Sequence, residues 1–160
     1  MASAPLPFNI NKIAEVEPWH LIATTAKQSW WTWFLNLLCP IEDMQITYMI
    51  LSGPDNIQLM SSCRWFDTTY YVYGRGAVVN KQPIMAVQFG DAKKIVRFIE
   101  TDNKTYMLTV SSNGFNIWCS KPAISTELAN HVLSVAESYG CMRDAWHPCI
   151  KIPNEWDKNA

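Results

Sequence analysis

The sequence predicts an all-β protein, an eight-stranded antiparallel up-and-down β-barrel with one C-terminal α-helix packed outside. Three observations point there. Seven short β-prone runs follow one another between residues 44 and 119, separated by turn signals and with no room for a crossover helix. An eighth run, 19–25, precedes them, and the apolar period becomes helical only after the last one. Eight antiparallel strands in sequence close most economically into a barrel, which leaves no free edge and has room for one small ligand.

Each element has its own signals. The run 44–51 meets 57–65 across Ser52-Gly53-Pro54-Asp55-Asn56, and 70–79 meets 83–89 across Asn80-Lys81-Gln82. The runs 94–100, 106–111 and 115–119 are joined by Thr101-Asp102-Asn103-Lys104-Thr105 and by Ser112-Asn113-Gly114. Over 125–139, Leu128, Val132, Val135 and Tyr139 form an apolar stripe at helical spacing. Ser125 suits the helix start, Glu127 its first turn and Gly140 its end. The connection between the first two strands holds residues 29–38, with Trp30, Trp31 and Trp33 among the eight tryptophans of the chain. A segment this apolar is expected to be covered. One domain, 1–160, accounts for everything: barrel about 19–120, helix about 125–139, tail 140–160.

Composition excludes several classes. The 160 residues carry 13 basic and 14 acidic side chains, a net charge of −1, so no long-range field draws nucleic acid or an anionic membrane. A chain of this length buries roughly 70% of its extended surface and needs no metal to hold a core. No run approaches the roughly 18 to 20 apolar residues of a membrane span, and the first residues lack the basic and apolar regions of a signal peptide. The five cysteines, at 39, 63, 119, 141 and 149, show no CxxC spacing, and an odd number forbids complete internal pairing. The histidines at 20, 131 and 147 are scattered, with neither metal-ligand spacing nor paired carboxylates. Neither a metal site nor a catalytic set is expected.

Motifs then carry a family resemblance. Phe8-Asn9-Ile10-Asn11-Lys12-Ile13 followed by Trp19-His20-Leu21-Ile22-Ala23 resembles the first lipocalin motif, with Glu17 where a glycine is usual. Val96-Arg97-Phe98-Ile99-Glu100-Thr101-Asp102 and then Tyr106-Met107-Leu108 resembles the second, with Asn103 in place of tyrosine. Ile117-Trp118-Cys119-Ser120-Lys121-Pro122 resembles the third, with Lys121 standing for an arginine, and the stretch 74–80 looks like a fourth strand of the branch around apolipoprotein D and the insect bilin-binding proteins.

The resemblance implies a secreted, extracellular, non-enzymatic protein. It carries or sequesters one small hydrophobic molecule, such as a bilin or other tetrapyrrole, a retinoid or carotenoid, a fatty acid or a steroid. No cofactor is required, and a homo-oligomer or a receptor is the candidate macromolecular partner. Trp19 is expected at the closed end. Trp30, Trp31, Trp33 and Phe34 are read as a lid that stacks on the ligand. Tyr48, Met60, Arg64, Tyr71, Tyr73, Phe98, Tyr106 and Trp118 are candidates for the inner wall. The parity of the 57–65 strand stays open, because a one-residue slip exchanges its faces. Arg64 reads either as an anchor for a carboxylate or as a solvated charge. By position Cys39 and Cys149 match a pair that staples the tail to the barrel; Cys63 with Cys149 and Cys39 with Cys63 are the alternatives. Asn103-Lys104-Thr105 forms a glycosylation acceptor.

Two rival functions come from other classes. A barrel filled by its own side chains would leave the 30–38 segment to bind a protein or a membrane. A thiol-dependent lipid isomerase would need Cys63 as its nucleophile, at a site different from that of the lipocalin subgroup that does this chemistry.

Overall fold

A computed structural model describes residues 8–26 and 42–149. It begins with a short helix, α1 (Ile10–Glu15), capped by Asn9, whose side chain accepts the Lys12 N–H. The strands follow as β1 (Trp19–Thr24), β2 (Glu42–Gly53), β3 (Asn56–Trp65), β4 (Thr68–Val78), β5 (Ile84–Phe89), β6 (Ala92–Thr101), β7 (Tyr106–Ser111) and β8 (Gly114–Cys119). A second helix, α2 (Thr126–Ser138), a 3-10 turn (Arg143–Ala145) and a two-residue strand, β9 (His147–Pro148), complete the order. The meander runs antiparallel from β2 to β8, β8 pairs with β1, and β1 returns to β2 through Trp19 opposite Ile46 and His20 opposite Gln45. The predicted eight-stranded barrel with its C-terminal helix is therefore the fold.

The sheet separates two cores. The inner one gathers Trp19, Tyr48, Ile57, Leu59, Met85, Phe98 and Met107 with Ile10 and Ile13 of α1. The outer one lies between the barrel and α2 and holds Ile22, Ala23, Leu108, Ile117, Val132, Leu133 and Trp146. In α2 the Ser125 hydroxyl accepts the Leu128 N–H, as the sequence predicts, and Gly140 follows at φ +89. The stripe that α2 buries is Ala129, Val132, Leu133 and Ala136; Tyr139, expected on it, is exposed.

One end of the barrel is shut. α1 packs across it, the buried Trp19 donates its indole N–H to the Ile13 carbonyl at 3.0 Å, and the Asn9 N–H donates to Asn103 Oδ1 at 2.8 Å. Asn103 is buried in that turn at φ +65, so the folded chain does not present the predicted acceptor amide to solvent, and its role is structural. Asp102 organises the same turn by accepting the N–H groups of Lys104, Thr105 and Tyr106.

At the other end the closure is less complete than a free-edge-less barrel requires. β5 meets β4 only from Arg75 opposite Gln88 to Val78 opposite Met85, so the first half of β4 runs on past it with β3 as its neighbour. Beside β1, where β2 has moved away, β9 pairs with Ala23 and Thr24, and the Cys149 N–H donates to the Ile22 carbonyl at 2.9 Å. Cys63 and Cys149 are free thiols, as are Cys119 and Cys141, so none of the three candidate pairings is formed; Cys39 lies outside the described residues.

Candidate ligand-binding site

Register decides which side chains face the lumen, because residues directly opposite across an antiparallel pair project to the same face. Tyr48 lies opposite Leu59 and Leu59 opposite Gly74; Ile50 lies opposite Ile57 and Ile57 opposite Gly76. Since Tyr48, Ile57 and Leu59 belong to the inner core, this face is the inner one. With no register shift along β3 and β4, Ser61 opposite Val72 and Cys63 opposite Tyr70 share it.

The two glycines make the inner face hard to recognise from sequence. A Cβ on Gly74 would stand 2.7 Å from the Phe89 ring and 2.6 Å from the Gln88 carbonyl oxygen, and one on Gly76 would stand 2.8 Å from the Met85 sulfur. Side chains of β5 thus lie over β4 backbone, a close approach that only glycine allows.

Burial along this face changes abruptly. At the closed end Ile57, Leu59, Met85 and Met107 are 0% exposed; past Gly74 the inward-facing Tyr70 and Val72 are 48% and 54% exposed. The lumen is therefore dry below and open to solvent above. Across the mouth the wall is more polar. Thr24 donates its hydroxyl to Asn116 Oδ1 at 2.6 Å, and the Trp118 indole N–H donates to Thr109 Oγ1 at 3.2 Å. Lys94, opposite Val87, stands on the inner face as well. Phe98 and Tyr48 close the lumen below, 6.4 Å apart between ring centroids. Burial pushes the Tyr48 phenol well above its ordinary range, so it stays neutral in the lumen.

Of the residues the sequence assigns to the inner wall, Tyr48, Phe98 and Trp118 are there. Met60, Arg64, Tyr71 and Tyr73 are not: Met60 faces Thr47 and Tyr73, and Tyr71 faces Ser62, all on the outer face. Three of them instead line an outer depression of about 520 Å³ together with Pro18, Gln45 and Thr47. Arg64 sits there in an ion pair with Asp43 at 3.3 Å, both about half exposed, the solvated alternative of its two readings. Tyr106 is also corrected. It lies opposite Cys119 under α2, its ring edge-on to His131 at 6.5 Å, and burial first and then the Glu100 charge push its phenol up to about 12. Trp30, Trp31, Trp33 and Phe34 lie outside the described residues.

Polar Gln58 and Ser62 on either side of Met60 were the signal for its parity, but β4 offered none, since tyrosines occupy both of its faces. Sequence reasoning also missed Tyr70 and Val72 at the mouth, and the Glu100 carboxylate that holds His131 of α2 at 3.0 Å. Burial raises the thiols of Cys119, to about 12, and Cys149, to about 11, which leaves them protonated and unreactive at neutral pH. Among the described residues no group of His, Cys, Asp or Glu is placed to hold a metal ion.

No protein-family model and no curated protein matches the sequence. Solved structures do match. Insecticyanin from the tobacco hornworm Manduca sexta is 15% identical with a TM-score of 0.68, the match covering 96% of this chain and 86% of that one. Lobster apocrustacyanin A1 is 12% identical at 0.68, covering 89% and 79%. Siderocalin Ex-FABP is 10% identical at 0.64, covering 89% and 91%. The chain has the lipocalin fold. Within that lipocalin barrel, α1 and Trp19 form the floor and the half-exposed wall of β3 and β4 forms the lip.

Proposed function

We propose that this protein binds one small hydrophobic molecule in the lumen of its barrel and carries or sequesters it without chemical change. What supports the reading above all is the inner wall at the mouth, where Tyr70 and Val72 turn large apolar surface into a water-filled space instead of into a core. A ligand entering there gains that apolar surface, about 25 cal/mol for each Å² removed from water. The floor gives it a stop. The polar side of the mouth suits a molecule with one polar end, and Lys94 favours a carboxylate there, as a fatty acid or a bilin carries.

Among the structural neighbours, siderocalin Ex-FABP is described as functioning through dual ligand specificities and siderocalin Q83 as having a dual ligand binding mode. A ligand site in the lumen of this chain is consistent with that company. Trp30, Trp31, Trp33 and Phe34 complete the proposal as a lid, and an extracellular setting belongs to it.

The decisive experiment is a titration of the protein with oleic acid, all-trans-retinol, biliverdin and progesterone, followed by quenching of tryptophan fluorescence. One of the four is expected to bind at one molecule per chain. Val72→Asp, at the exposed lip, is expected to weaken that binding about tenfold or more by setting a charge against the ligand, whereas Tyr73→Ser on the outer face leaves it unchanged. If none binds, and no small molecule is released on denaturing the protein from its natural source, the carrier reading fails.

A further inference from the structure

The lumen does not account for the outer face of β4, β5 and β6. Arg75 lies opposite Gln88 and Gln88 opposite Lys93; two residues along, Ala77 lies opposite Ala86 and Ala86 opposite Ile95. The row between them, Gly76 with Val87, is an inner one, since Val87 belongs to the inner core, so both of these rows project outward. The first row is long and polar and the second is short. Two alanines side by side thus leave a trough in the surface, part of an outer depression of about 560 Å³, with the half-exposed Ile95 at its β6 end. Of the outward side chains on β5 and on the stretches of β4 and β6 paired with it, three are cations, Arg75, Lys93 and Arg97, and none is a carboxylate. In a chain of net charge −1 that is a local concentration of positive charge. Among the described residues neither Arg75 nor Lys93 is in an ion pair; Arg75 donates to Asn56 Oδ1 at 3.2 Å.

We propose that this trough is a second ligand site, outside the barrel, for a small amphiphilic anion. Its acid group, a carboxylate, sulfonate or phosphate, sits over Gln88 between Arg75 and Lys93, and its apolar body lies along Ala77 and Ala86 against Ile95. Arg75 and Lys93 stand two strand spacings apart, about 10 Å between their Cα atoms, and both side chains are long enough to converge on one anion between them. Asp55 of the β2–β3 turn borders the depression, and its carboxylate turns an anion away from that corner and towards Gln88. Chemistry also selects the size of the occupant. The backbone of β5 is paired on both sides here, so an extended peptide finds no free N–H or C=O groups to add to. A recess one side chain deep suits a single small molecule.

Anilinonaphthalene sulfonate, a flat apolar body with one sulfonate, is the probe, and amide proton–nitrogen spectra locate it. The wild type is expected to show changes at Ala77, Ala86 and Ile95, with any at Tyr70 and Val72 reporting separately on the lumen. Ala86→Trp fills the trough and is expected to abolish the first set while leaving the second as it was. Joint replacement Arg75→Gln and Lys93→Gln, at exposed positions, is expected to weaken binding at the trough about tenfold or more. Phenylnaphthylamine, the same body without its sulfonate, is expected to leave the trough empty. Val72→Asp is expected to act on the lumen alone. A wild type without changes at Ala77, Ala86 and Ile95 overturns the proposal, as does binding there that ignores the loss of both cations. A trough that fills while the lumen stays empty supports this site and counts against the lumen instead.

Discussion

Asp102 organises the β6–β7 turn through one carboxylate. Its partial burial raises the group, but N–H donors from Thr105, Lys104 and Tyr106 outweigh that and hold it below the usual carboxylate range. A group depressed in the folded state contributes stability above its unfolded value, about 4, and the contribution disappears as pH falls through the depressed folded value. Asp102→Asn is accordingly expected to lower unfolding stability at pH 7 by about 1 kcal/mol, and to flatten the fall in stability expected of the wild type in urea titrations as pH drops below about 5. Gly74 is the second residue that acts alone. Nothing at 2.6 Å from a new Cβ yields there, because one neighbour is backbone and the other is the Phe89 ring. Gly74→Ala is expected to destabilise by about 1 to 3 kcal/mol through overpacking, measured by the same titrations, while Gly90→Ala, with open space around it, probes only its positive φ.

At the scale of elements, β4 is two strands in one. Below Gly74 it is an ordinary wall between β3 and β5; above it the strand has one neighbour and two wet faces. That division explains which parts of the site were legible. Tyr48 and Phe98 could be placed because polar or charged neighbours, Thr47 on one side and Arg97 on the other, mark the outer parity of their strands. Tyr70 and Tyr71 could not be separated, since alternation carries information only when one face is buried, and here neither is. The glycines completed the confusion by standing where a sequence reader expects a large inward side chain. α2 was legible for the opposite reason: a single buried stripe and a serine cap survive in the sequence. Leu133, 1% exposed in the outer core, serves neither mouth nor edge. Leu133→Ala is expected to lose about 2 to 5 kcal/mol in unfolding and to leave ligand affinity per folded molecule unchanged, which calorimetry paired with the fluorescence titration checks.

For the whole molecule, the turns and the change of period were enough to reach the barrel, because the meander leaves few ways to connect eight short strands. What they did not reveal were α1 and β9. Six residues with one cap, and two residues held by backbone bonds to β1, have too little periodicity to be read. The closed end and the seam beside β1 depend on just these pieces. The arrangement of two cores on opposite sides of one sheet also has a bearing on descent. Positions that must stay apolar for the chain to fold lie below Gly74 or beneath α2, and the lip above Gly74 belongs to neither core. Substitution at the lip is therefore released from the demands of folding, and solved chains that share only 10 to 15% of their residues with this one still trace the same barrel.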